Sequence, residues 1–321
     1  MRALGTPEGR LAVICVAVFA LMAALSPERF LSAQNLTSMA FQFPEFAILA
    51  LAMTVAMLTG GIDLSVVGVS NLSAVIAASL LVSLAGEGAG TGIVLLAMAL
   101  ALAVGLAAGL LNGVLVARLG LPPILATLGS GLIFTGLAIA LTGGSAVMGL
   151  PPAAAWIGNA RVLGIPVPLL LFAALAAGLA FVLGRTAFGI KLRMYGANPL
   201  AARFAAVDVD RTLIKVYAVS GMLAAVAGMV VMSRANSAKA DYGSSYLLLA
   251  VLIAVLGGVN PYGGYGRVIG VVLAVLSMQF LSSGLNMLQV SNFARELIWG
   301  LLLIGVMLLN TVRAPTRRRK P

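Results

Sequence analysis

The chain has 321 residues, 61% of them apolar and only 9% charged, and a formal charge of +11 at pH 7. Such a composition, with apolar runs of membrane-spanning length recurring throughout, excludes an ordinary soluble domain and predicts an all-α polytopic membrane protein. The absence of histidine and the single cysteine, Cys15, exclude a Ser-His-Asp triad, a His-ligated metal and an intrachain disulfide.

Apolar runs bounded by Gly, Pro or charge fall at about 11–29, 44–60, 64–85, 92–117, 122–142, 165–184, 213–233, 244–257, 266–284 and 294–311. They predict ten transmembrane helices in one domain, 1–321. The first run could pass for a secretory signal. However, the later runs target the chain, and Ser26-Pro27-Glu28-Arg29 is a poor cleavage site, so it reads as the first span, with Cys15 as a small apolar filler.

The second run ends in "MLTGGIDLSVVG" (57–68), which carries Asp63. A carboxylate in hydrocarbon costs about 2.5–3.5 kcal/mol even on lenient scales, so Asp63 needs a way out of the lipid or a task. The expectation is a helix break at Gly60-Gly61, with Asp63 capping a helix that starts at Leu64 and Ser65 assisting. Gating, contact with a partner and proton coupling are the alternatives.

"GLAAGLLNG" (105–113), "GSGLIFTG" (129–136) and "GRVIG" (266–270) put small residues about one turn apart, which predicts close helix packing in lipid. Neutral polar residues inside the runs are Asn71, Ser73, Asn112, Thr127, Ser130, Thr135, Gln279, Ser282 and Asn286. They are candidates to touch a polar solute in transit, or equally to bond neighbouring helices.

The connection 185–211 is the longest between runs, and in it Asn198-Pro199 supplies an N-cap and a first-turn proline. A short helix should start at Pro199, with Leu200, Phe204 and Val207 on one face. So short a helix is unstable alone and must dock, either beneath the spans or on a separate partner. Further on, Arg234, Lys239 and Asp241 read as a solvated loop or a partner's rim. The eighth run, "YLLLAVLIAVLGG", is short, and Gly257-Gly258 opens a second break similar to the first. Arg295-Glu296 reads as a helix-end pair.

If the N-terminus is inside, only Arg29, Arg161, Arg234, Lys239 and Arg295 of the twenty Lys and Arg lie outside, which predicts both termini in the cytoplasm. The basic tail 312–321, with "RRRK" at 317–320, then reads as an orientation and lipid-headgroup anchor rather than a nucleic-acid site. The sequence contains no G-x-x-x-x-G-K-[ST] phosphate loop and no buried His, so energy for transport would come from a separate motor.

"LTGGIDLSVVGVSNLSAVIAA" (58–78), "LPPILATLGSGLIFTGLAIALTGG" (121–144), "GRTAFGIKLRMYGANPLAARFAAVDVDR" (184–211) and "VLGGVNPYGGYGRVIGVVLAVL" (255–276) together resemble the membrane permease of bacterial sugar-type ABC importers, the ribose, xylose, rhamnose and autoinducer-2 systems. The resemblance implies a multi-pass inner-membrane permease without enzymatic activity, paired with a second copy or paralogue. It also implies two cytoplasmic ATP-binding subunits that hold the ATP and Mg, and a periplasmic sugar-binding protein. The solute would be a pentose, deoxyhexose or autoinducer-2-like molecule. By the same resemblance, Tyr195, Gly196, Asn198, Pro199, Ala201, Ala202 and Arg203 form the coupling helix that seats in the ATPase; Gly60, Gly61, Gly257 and Gly258 shape the two similar breaks read from the Gly pairs themselves. "GGVNPYGG", with Asn260 and Tyr262, departs from the family's usual Ser or Thr and small residue. The alternatives are the same architecture carrying branched-chain amino acids or nucleosides, an ion-coupled carrier, and a purely structural subunit.

Overall fold

The computed structural model describes residues 6–85 and 90–313. In chain order its helices are α1 (Pro7–Leu25), α2 (Pro27–Phe30), α3 (Ala33–Gln42), α4 (Pro44–Met57), α5 (Val66–Ala85), α6 (Thr91–Ala117), α7 (Pro123–Thr142), α8 (Trp156–Asn159), α9 (Val167–Arg185), α10 (Ala187–Ala197), α11 (Pro199–Phe204), α12 (Val209–Ala235), α13 (Tyr246–Leu256), α14 (Val268–Met287) and α15 (Asn292–Arg313). Every predicted apolar run carries a helix. Among the described residues, eight helices are long and apolar enough to cross a bilayer, with α3 and α4 counted as one rod, Ala33–Met57. Residues 314–321 of the predicted basic tail, "RRRK" included, lie outside the described residues.

Two boundaries differ from expectation. The second helix begins at Ala33 rather than at 44, because "AQNLTSMAFQ" is too polar to register as an apolar run. Ser32 nevertheless caps it, accepting the Asn35 N–H at 3.2 Å. Proline then reopens the rod at Pro44, with Phe43 as the joint between its halves. The eighth helix, α13, has 11 residues and so rises roughly 16 Å, about half a bilayer core. It is shielded rather than lipid-facing: Leu249, Ala250, Leu252, Ile253, Ala254 and Val255 are buried among α4, α5, α14 and α15.

Helix α4 is the centre. It is apolar almost all round and all 14 of its residues are buried, as a helix must be when neighbours surround it. Helices α12, α13, α9 and α14 enclose it, and α1 lies further out against α14. Apolar faces of α6 and α7, with Leu95, Leu96, Leu132 and Ile133, point outward as lipid-facing surfaces do.

The tightest pairing is α6 on α12, and it is set by the predicted small-residue spacing. A Cβ on Gly105 or Gly109 would strike the backbone at Gly221 or Tyr217, and one on Gly221 would strike Gly105. In "GSGLIFTG" only Gly131 has a close neighbour, the Ser65 backbone of the α5 entry, whereas Gly129 and Gly136 face open space. Two short antiparallel pairs complete the fold, Val147–Met148 (β1) with Ser237–Ala238 (β4) and Arg161–Val162 (β2) with Ile165–Pro166 (β3).

Gly109→Leu should therefore destabilise the chain by about 3 kcal/mol or more through overpacking at α12, while Gly129→Ala, with open space around it, should be neutral or slightly stabilising. Melting curves of the two detergent-solubilised variants against the parent check this.

Candidate functional site

Three features with chemical content lie along the axis of the molecule: a polar helix break at the Leu58 end of α4, a short helix hanging from it, and an open cleft toward the other end.

The break follows from Gly60, whose φ of +83° suits glycine and whose missing Cβ leaves room for the Tyr262 carbonyl. The chain then re-enters at Asp63, which is 1% exposed. One carboxylate oxygen accepts the Ser65 N–H at 3.0 Å and the Ser65 hydroxyl at 2.6 Å; the other accepts the Ser220 hydroxyl of α12 at 2.7 Å. The Asn112 amide of α6 donates to Ser65 Oγ at 2.7 Å. The helix starts at Val66, not Leu64, so Asp63 supports it by way of Ser65 and ties three helices together. Thr127 of α7 pins the same turn: its hydroxyl accepts the Leu64 N–H and lies within 3.0 Å of the Ile62 carbonyl. Asn112 Oδ1 and the Tyr217 hydroxyl are buried nearby without a hydrogen-bond partner among the described residues.

The second break follows α13 and meets the first. Gly264 N–H donates to the Leu58 carbonyl at 2.9 Å, and Gly263, at φ +90°, presses on Gly60 and Gly196. Gly257 packs on Gly270 at the start of α14. A Cβ on Gly196 would collide with the Leu58 carbonyl and the Gly264 nitrogen. The end of α10 thus rests directly on both breaks, backbone to backbone. Gly61 faces Tyr217, and Gly258 turns the chain at φ +80°.

Helix α11 starts at Pro199 as the sequence predicts. Asn198 Oδ1 accepts the N–H groups of Leu200 and Ala201, each at 3.0 Å. Asn198, Pro199, Ala201 and Arg203 are exposed, Ala202 is buried, and Tyr195 and Gly196 are partly covered. Burial raises the Tyr195 phenol above the ordinary tyrosine range, with Arg203 pulling it down and Asp210 pushing it up, so it stays a neutral hydroxyl near pH 7. Leu200 and Phe204 are 63% and 84% exposed. Val207 does not share their face, because the helix ends at Phe204 and Ala206 turns at φ +55°.

The cleft lies toward the Glu45 end. Two adjoining cavities, of about 310 and 510 Å³, share Gln42, Gln279, Ser282 and Arg295 in their walls. Asn286 lines the larger one, whereas Arg234, Tyr246 and Trp299 line the smaller. Glu45, near the middle of the Ala33–Met57 rod and 3% exposed, pairs with Arg234 and accepts the Tyr246 hydroxyl at 2.9 Å. A charge at such depth is kept only when paired, and Arg234 supplies the pair.

The nine neutral candidates therefore divide. Gln279, Ser282 and Asn286 reach the cleft. Asn112 and Thr127 are engaged at the break, Ser130 donates to the Thr127 carbonyl within α7, and Asn71 holds the carbonyls of Ala240 and Tyr242 at 2.8 and 2.9 Å. Ser73 is buried with its hydroxyl unpartnered among the described residues, and Thr135 lies beside Gly68. Two readings are corrected. Arg234 lies against Glu45 rather than in a solvated loop, while Lys239 and Asp241 do form an exposed pair at 2.9 Å. Glu296 takes the Ser245 hydroxyl rather than pairing with Arg295. Sequence reasoning missed Glu45, Tyr246, Ser220, Gln42 and Trp299. Of these, Glu45 carried a signal, as a lone acid beside a long apolar run.

A family model described as "Branched-chain amino acid transport system / permease component" matches residues 35–311. The chain is 35% identical to the ribose import permease protein of Bacillus subtilis (strain 168), over 90% of this chain and 88% of that protein. It is 34% identical to the autoinducer 2 import system permease protein of Enterobacter sp. (strain 638), over 94% and 91%. Against the ribose import permease protein of Escherichia coli (strain K12) it is 32% identical, over 94% and 93%. No solved structure matches the chain.

If Asp63 holds the break together, Asp63→Ala should cost roughly 3 kcal/mol, because it strands the buried hydroxyls of Ser65 and Ser220. Ser220→Ala should cost about 1 kcal/mol, and adding it to Asp63→Ala little more. Unfolding of the single and double variants in detergent measures this coupling.

Proposed function

The chain belongs to the family of branched-chain amino acid transport system permease components, and from that premise we propose that it is the membrane permease subunit of an ATP-driven importer for a monosaccharide or related small polar solute. It is a multi-pass protein of the bacterial inner membrane and a transport subunit that does no bond chemistry itself. Relatives named for ribose and autoinducer 2, matched over nine-tenths of the chain, favour this reading over one with amino acids as cargo.

The observation that carries the mechanism is helix α11. It is capped at its start, presents Leu200 and Phe204 to solvent, and hangs from α10, which rests by Gly196 on both helix breaks. The excess of Lys and Arg on this side supports a cytoplasmic position for it and for both termini. A cytoplasmic ATP-binding subunit, which holds the ATP and Mg, would seat α11. Closure of that subunit on ATP would then push α10 against the ends of α4 and α13 and switch the chain between inward- and outward-facing states. A second copy or paralogue completes the pathway, and a periplasmic binding protein delivers solute to the opposite end.

Burying a leucine or a phenylalanine contributes roughly 1.5–3 kcal/mol, so Phe204→Ala should weaken capture of the ATP-binding subunit about tenfold or more. Arg203→Glu, exposed on the same helix, should lower ATP-driven uptake without changing the melting temperature. Co-purification and uptake by proteoliposomes containing the assembled importer check both, and unchanged values in both variants would remove α11 from the mechanism.

A further inference from the structure

Helix α14 is apolar apart from Ser277, whose hydroxyl donates to the Leu273 carbonyl, and one polar face. Gln279, Ser282, Ser283 and Asn286 follow one another at helical spacing and point one way. Ser283 is engaged, donating to Asn35 Oδ1 at 2.9 Å. The other three make no side-chain hydrogen bond among the described residues, although Gln279 is only 4% exposed. Buried amides are ordinarily satisfied, so an unpartnered one facing a cavity marks a place where something else supplies the bonds.

The opposite walls repeat the pattern. Gln42 and Arg295 likewise make no side-chain bond or ion pair among the described residues, and the Trp299 indole N–H is buried without an acceptor. The remaining charges around the smaller cavity are occupied: Arg234 by Glu45, and Glu296 by the Ser245 hydroxyl. The floor of the smaller cavity is thus a closed ion pair, and the free groups above it are two amides, a hydroxyl, an indole and one guanidinium, whereas Glu28, Arg29 and Asn286 line only the larger cavity.

We propose that the smaller cavity is a solute-binding site for an uncharged polyhydroxylated molecule of monosaccharide size, held by Gln42, Gln279, Ser282 and Arg295 against Trp299, above a floor formed by the Glu45–Arg234 pair. Each amide offers both donors and an acceptor, as each sugar hydroxyl does, so every free group finds a complement. An apolar amino-acid side chain would leave them unpaired, the situation that site selectivity punishes most. The smaller cavity, about 310 Å³, falls within the usual size range of small-molecule sites, and the larger one adjoins it. The inference rests on the importer reading for its choice of probe.

Trp299 is one of two tryptophans in the chain, so Trp156→Phe leaves it as the sole reporter. The full chain in lipid nanodiscs, titrated with D-ribose, D-xylose and L-rhamnose, should show a saturable change in Trp299 fluorescence with at least one of them and none with L-leucine. Gln279→Leu should weaken that response at least tenfold while leaving the melting temperature equal or raised, since it removes an unpartnered buried amide. Three results would overturn the site: no response to any of the three sugars, an unchanged response in Gln279→Leu, or a marked loss of thermal stability in that variant. A response confined to ribose 5-phosphate would overturn the uncharged class by making Arg295 an anion clamp. If Gln279→Leu imports sugar as fast as the parent in the assembled importer, the site fails and the importer reading stands. If the chain binds sugar but shows no ATP-driven uptake, the importer reading fails and the site stands.

Discussion

The fold depends on bringing polypeptide backbones into direct contact where helices stop. A helix that ends inside a membrane protein exposes carbonyls and N–H groups that lipid cannot satisfy, so the freed groups must find partners within the chain. At the Leu58 end of α4 they do: Gly264 donates to Leu58, Thr127 brackets the turn, and Asp63 gathers Ser65 and Ser220. The contact requires Gly60, Gly196 and Gly263 to lack side chains, and this brings α10 onto two interrupted helices at once. A larger residue at Gly196 or Gly263 would separate the segment carrying α11 from the centre of the bundle, and one at Gly60 would push the two breaks apart.

From that contact, the remaining features line up along α4. Every α4 residue is buried, so the helix cannot slide without disturbing α12 and α13. Its other end carries Glu45, fixed to Arg234 at the end of α12 and to Tyr246 at the start of α13. Helices α4 and α13 therefore each join the glycine contact at one end to the ion-pair floor of the cleft at the other. On the proposed reading, force applied at α11 reaches the solute cleft through two short, enclosed helices and not through the lipid-facing shell of α6 and α7.

Much of this was legible in the sequence wherever a single local pattern sufficed. Hydropathy located all the apolar helices, the Asn198-Pro199 pair located the start of α11, and glycine spacing marked the face of α6 that packs closely, though not α12 as its partner. Readings failed where the deciding partner was remote or a single backbone angle intervened. Asp63 and Ser220 are 157 positions apart, and Glu45 and Tyr246 are 201 apart. Nothing local announces either bond. The positive φ at Ala206 removed Val207 from the α11 face, and the polar composition of α3 concealed the first ten residues of the second helix. The polar face of α14 was visible as residues, but only the fold shows which members are already bonded and which face the cleft.

The most direct test of the glycine contact as a force path is ATP-driven sugar uptake by proteoliposomes containing the assembled importer with Gly196→Ala, whose added methyl would press on the Leu58 carbonyl and the Gly264 nitrogen. The account predicts that the variant still captures the ATP-binding subunit through α11, while uptake falls at least tenfold relative to ATP hydrolysed. Uptake and its ratio to hydrolysis unchanged from the parent would contradict it.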